Sequence, residues 1–66
     1  MELLILKSGK SYIRVKEEHF LVVDLDKASV FPMDQIKKVL AFKDSLNREG
    51  FRDACIKKLV LTEEDV

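Results

Sequence analysis

The chain has 66 residues, enough for one small domain spanning residues 1–66 but too few to bury more than about 60% of the surface that the unfolded chain exposes. Its twelve basic and twelve acidic side chains cancel, so net charge gives no general attraction to nucleic acid or to an anionic membrane. The apolar share of 47% argues against disorder, the single cysteine excludes an internal disulfide framework, and the apolar runs, such as Leu3 to Leu6, are too short for a signal-peptide core or a membrane span.

Glu2 to Lys7 (ELLILK) reads as a first strand with four consecutive branched aliphatic residues, the pattern of a strand covered on both faces. Lys7-Ser8-Gly9-Lys10 is a tight turn in which Gly9 supplies a positive φ. Ser11 to Lys16 (SYIRVK) alternates as a second strand, with Ile13 and Val15 on one face and Tyr12, Arg14 and Lys16 on the other. After a polar break at Glu17-Glu18-His19, Phe20 to Leu25 (FLVVDL) forms a third strand that is apolar on both faces as far as Asp24. Asp26 to Ser29 links it to the next element.

Phe31 to Phe51 (FPMDQIKKVLAFKDSLNREGF) reads as one amphipathic helix with its stop signal. Met33, Ile36, Val39, Leu40 and Leu46 recur at helical spacing, Phe42 widens their face and Lys43 interrupts it. Pro32 suits the first helical position, and Asp34 favours the positive end of the helix dipole. Gly50 fits a left-handed residue just past the end, with Phe51 placed to touch Leu46 in a Schellman cap. Cys55 to Thr62 (CIKKLVLT) is the last strand.

The expected fold class is therefore α+β, in the order β-β-β-α-β. It has a four-stranded mixed sheet of order 3-2-1-4, its last pair parallel, and one helix on one face. The general look is that of small bacterial proteins, a likeness that carries no site.

Gly9-Lys10-Ser11 matches the end of a phosphate-binding loop, but the motif's first glycine is replaced by Leu4 and a strand follows where a helix is needed. Cys55 and His19 lack the spacing and surroundings of a nucleophile and its base. Asp24 and Asp26, with Glu17, Glu18 or His19, lack the further oxygen ligands of a calcium loop. No cofactor, metal or enzymatic activity is expected. Lys43 lies inside the apolar arc of the helix, so it either snorkels past the sheet edge or holds an acidic partner or ligand.

Two surface readings remain. Only one sheet face can be covered by one helix, which leaves a second apolar set. The candidate interface residues are Leu3, Ile5, Phe20, Val22, Leu59 and Leu61, and a cytoplasmic interaction module is expected, self-associating as a homodimer or binding another protein. The alternative is single-stranded nucleic-acid binding on the face of Tyr12, Arg14 and Lys16.

Overall fold

The computed structural model describes residues 2–17 and 19–65. Five strands, β1 (Glu2–Ser8), β2 (Ser11–Lys16), β3 (His19–Val23), β4 (Val30–Pro32) and β5 (Cys55–Val60), form one sheet, and α1 (Ile36–Arg48) packs on one face of it. Short 3₁₀ turns occupy Leu25–Lys27 and Met33–Gln35. The α+β class and the single helix are as the sequence implies. No described helix is long and apolar enough to cross a membrane.

β1 is the axis of the sheet. Its residues Glu2 to Lys7 pair antiparallel with Val60 to Cys55 of β5. Leu3, Leu4 and Ile5 pair at the same time with Pro32, Phe31 and Val30 of β4, and Lys7 and Ser8 pair with Tyr12 and Ser11 of β2. A strand has only two edges, so β5 fills one while β2 and β4 share the other. β2 leaves β1 beyond the hairpin, and β4 enters the space. Ser29, just before β4, secures the junction: its N–H donates to the Ile13 carbonyl, and its Oγ accepts from the Val15 N–H at 2.9 Å.

Three sequence expectations are corrected here, the first being the strand count: the sheet has five strands, not four, because Val30–Pro32 pairs with β1. The sheet is antiparallel throughout, although the last strand does lie beside the first. A crossover through the helix exists, but it starts from β4, which runs opposite to β1, so β5 also runs opposite to β1. β4, α1 and β5 thus make a split β-α-β unit with β1 between its parallel strands. The helix is also shorter than Phe31 to Phe51. Phe31 precedes a proline, which disfavours helical φ and ψ, and the β4 pairing takes Phe31 and Pro32 into the sheet. Pro32, with φ −66° and ψ 155°, ends a strand and leads into the 3₁₀ turn.

The core lies between α1 and the sheet. Leu4 and Leu6 of β1, Ile13 of β2, Val39 and Leu46 of α1, and Ala54 are buried together. Phe20, Phe31 and Phe42 close one flank, with the Phe42 ring 6.1 Å from Phe20 and 5.7 Å from Phe31.

The helix ends as its sequence specifies. Gly50 has φ +107°, the Phe51 N–H donates to the Leu46 carbonyl at 3.0 Å, and the Gly50 N–H reaches the Asn47 carbonyl. At the β2–β3 hairpin Lys16 pairs with His19, and Glu17 takes φ +48°, a conformation glycine or asparagine holds with less strain.

Gly50→Ala should lower unfolding free energy by about 1 kcal/mol or more in urea titration. Nothing lies within 4 Å of the added Cβ, so the loss would be one of backbone conformation alone. Glu17→Gly should act in the opposite direction, by a few tenths of a kcal/mol up to about 1.

Candidate functional site

Cross-strand pairs point to the same face of a sheet, so the register assigns every strand side chain a side. Leu4, Leu6, Ile13, Val15, Phe20, Val22, Phe31, Ile56, Lys58 and Val60 are on the helix side. The other side carries Leu3, Ile5 and Lys7, then Tyr12, Arg14 and Lys16, with His19, Leu21, Val23, Val30, Pro32, Cys55, Lys57 and Leu59.

The six interface candidates therefore do not form one surface. Leu3, Ile5 and Leu59 share the helix-free face, and Leu61 follows one residue beyond β5. Phe20 and Val22 are on the opposite side, because they sit across from Val15 and Ile13, and Phe20 is covered by Phe42 within the chain. Ile5 is only 4% exposed, flanked in register by Val30 and Lys57, while Leu3 and Leu59 are half-buried. The apolar set on this face differs from the one expected: Leu21 and Val30, 44% and 49% exposed, stand there in place of Phe20 and Val22, while Ile5 is covered within the chain.

The charge on that face is the more informative feature. Lys7, Arg14, Lys16 and Lys57 all project from it, with His19 at its margin, and no strand position on it holds an acid. Off the strands, Glu17 and Asp24 directly follow β2 and β3; the other described acids are Glu2 on the helix side, Asp34 and Asp44 on or before the helix, Glu49 and Asp53 between the helix and β5, Glu63 to Asp65 after it, and Asp26. Asp26 and Lys27 of the first 3₁₀ turn share an open depression with Arg14 at the edge of the face. The zero net charge thus hides a segregated distribution.

Tyr12, Arg14 and Lys16 do share a face, but Tyr12 is half-buried and the Lys7 Nζ stands 5.4 Å from its ring centroid. A base stacking there would compete with an internal cation–π contact.

Lys43 has a structural partner. Its Nζ donates to Asn47 Oδ1 at 3.2 Å, and Asn47 Nδ2 donates to the Phe51 carbonyl at 2.9 Å. The half-buried lysine orients an amide that ties down the residue following the helix stop. Neither an acidic group nor a ligand is needed to explain it. The one-turn spacing of Lys43 and Asn47 was visible in the sequence, but the return of Phe51 beneath them depends on the cap.

The remaining motifs separate in space. Gly9 has φ +59°, and the Asp53 carboxylate stands over it: Ser8 Oγ donates to Asp53 Oδ1 at 2.7 Å, and a Cβ at Gly9 would lie 3.1 Å from Oδ2. A carboxylate in that position opposes phosphate. Cys55 starts β5 and His19 starts β3, at the two outer edges of the sheet. Asp24 and Asp26 follow β3, whereas Glu17 and His19 are at its beginning; Glu18 lies outside the described residues. No group of three or more His, Cys, Asp or Glu suited to a metal ion occurs among the described residues.

The fold and this surface define a small antiparallel α+β domain with a cationic, partly apolar sheet face opposite its helix. Comparison with protein-family models, with curated proteins and with solved structures gave no match.

Lys43→Met should change stability by less than about 1 kcal/mol, since only one neutral acceptor loses its donor. Asn47→Ala should cost more, about 1–3 kcal/mol, because it strips both Lys43 and the Phe51 carbonyl of their partner. Urea titration of the two variants would give the ranking.

Proposed function

We propose that the chain is a protein-interaction module of a reducing, cytoplasmic compartment, whose helix-free sheet face takes an acidic segment of another protein that also carries apolar side chains. The observation that carries this reading is the segregation of Lys7, Arg14, Lys16 and Lys57 onto one face, around Leu3, Leu21, Val30 and Leu59. Cations set around aliphatic groups complement carboxylates set around aliphatic groups, and such matching governs partner choice more than it adds affinity. The lone thiol fits the compartment.

A second copy does not suit this face. Two-fold stacking would bring two such sets of cations together with no strand acid on either face to receive them, and like-charge juxtaposition across an interface costs several kcal/mol, about the strength of a weak complex. Single-stranded nucleic acid is the second reading, favoured by the shared side of Tyr12, Arg14 and Lys16. The aliphatic surroundings and the Lys7 contact on Tyr12 put protein first.

Amide shift mapping by nuclear magnetic resonance tests the choice, using a synthetic peptide of alternating glutamate and leucine and, separately, a uridine oligomer. The peptide should shift Lys7, Arg14, Lys16, Leu21 and Lys57, and the double variant Arg14→Glu/Lys57→Glu should abolish the effect. Shifts confined to α1, or none, would refute the reading. Oligomer binding that perturbs the Tyr12 ring and survives about 200 mM salt would put nucleic acid first, since purely electrostatic binding falls steeply with salt.

A further inference from the structure

We propose that a second copy of this chain pairs with the outer edge of β5, antiparallel and about a two-fold axis normal to the sheet. The inference does not require the helix-free face to be covered, although Lys57, one of the cations of that face, takes part at its β5 margin.

Three observations converge on this edge. First, β5 is hydrogen-bonded to β1 on one side, and among the described residues no strand pairs with its other side. A row of open backbone N–H and C=O groups is a template for another strand.

Second, an apolar stripe of α1 overhangs this edge. On the helix surface Phe42 lies to one side of the buried Val39 and Leu46, while Ile36 and Leu40 lie to the other, given about 100° per residue. Phe42 leans on Phe20 and Phe31, which belong to β3 and β4, so Ile36 and Leu40 turn toward β5. Both belong to the apolar face that helical spacing defines, yet they are 38% and 46% exposed. The helix runs back from β4 to β5, so its N-terminal end stands above the C-terminal end of β5, where Val60 points to the same side and is 56% exposed. Met33 is exposed at that end too. These residues form an apolar ledge along an open edge.

Third, the charges after and within β5 are self-complementary. A two-fold axis normal to the sheet keeps both helices on one side, so only residues pointing the same way can stand opposite each other. Registers centred on Lys57 or Lys58 would oppose like charges and are disfavoured. The register centred on Val60 sets Val60 against its own equivalent, beneath the two apolar ledges. β5 ends at Val60, so this pairing requires residues 61–64 to extend the strand: Leu59 would then face the second copy's Leu61, Lys57 its Glu63, and Lys58, which pairs with Glu2 of its own chain at 3.5 Å, would face Thr62 with Glu64 diagonal to it. Lysines on an edge normally block pairing; here they disfavour the registers centred on themselves, whereas those centred on Val60 and on Leu61 set lysines opposite acids, and the Val60 register alone places Val60 against itself beneath the ledges. β3 and the three-residue β4 also have an unpaired edge among the described residues, but Phe42 turns inward toward both and neither strand has a charge pattern that selects a register.

Light scattering after gel filtration, at tens of micromolar, should give about twice the 7.6 kDa of the chain. The variants Lys57→Glu/Lys58→Glu and Glu63→Lys/Glu64→Lys change only exposed side chains. Each alone should dissociate about tenfold or more readily, since like charges then stand opposite across the strand pair. Their equimolar mixture should recover the dimer, because each variant supplies the charge that the other lacks. Recovery on mixing distinguishes charge-matched pairing from misfolding, and recovery that persists at about 150 mM salt, where the Debye length is about 8 Å, distinguishes it from general attraction between oppositely charged chains. A monomeric wild-type chain overturns the inference, and so does a dimer that neither charge variant weakens or a mixture that fails to recover.

Discussion

Every element of this fold is positioned by the double pairing of β1. The strand is hydrogen-bonded along both edges, and its central residues face in both directions: Leu4 and Leu6 into the core beneath α1, Ile5 into the opposite face. With four aliphatic residues in a row, β1 has no polar side to offer to solvent, so a central position is the one that suits it. Because one edge is filled by β5, β2 and β4 must divide the other, and the chain between them has to cross from β3 back to β1. The 3₁₀ turn at Leu25–Lys27 and the hydrogen bonds of Ser29 to β2 make that crossing. The direction of β4 in turn fixes the direction of β5, so the antiparallel sheet follows from how β1's second edge is shared.

What the sequence disclosed was local. The Schellman cap at Gly50 and Phe51 appears with both of its hydrogen bonds, and β2 has the bounds its alternation implies. Gly, Pro and period-two patterns act over a few residues and are little altered by the rest of the chain. The misreadings involve competition between segments. Phe31 and Pro32 look like a helix entry until a neighbouring strand claims them, and nothing in their local pattern reports that Leu3 and Leu4 will be opposite. The apolar arc of the helix was visible, but how much of it the sheet covers was not. Phe42 packs toward β3 and β4, which rolls Ile36 and Leu40 off the other side. The same limit explains Phe20 and Val22, whose face was settled by pairing with β2 and not by their own alternation.

The candidate surface was legible only in part, for a related reason. Net charge sums over the molecule, whereas recognition depends on which charges share a side. Lys7, Tyr12 and Lys57 come from three strands, and only the register brings them together. Sequence proximity grouped Tyr12, Arg14 and Lys16 correctly because they belong to one strand. It could not show that acids are missing from their neighbours across the sheet.

The geometry of β5 pairing also links the two proposed surfaces. A two-fold axis normal to the sheet leaves both helix-free faces on the same side, so edge pairing would join two cationic faces into one continuous sheet surface without burying either. An acidic segment long enough to span both halves would then engage the second at a high effective concentration, gaining affinity without any new kind of contact. Stacking two copies through those faces would instead bury the cations and remove the surface altogether. The charge distribution and the open edge thus favour the same assembly: one that extends the sheet sideways, covers the ledge of Ile36, Leu40 and Val60, engages Lys57 at the seam, and keeps Lys7, Arg14 and Lys16 in solvent.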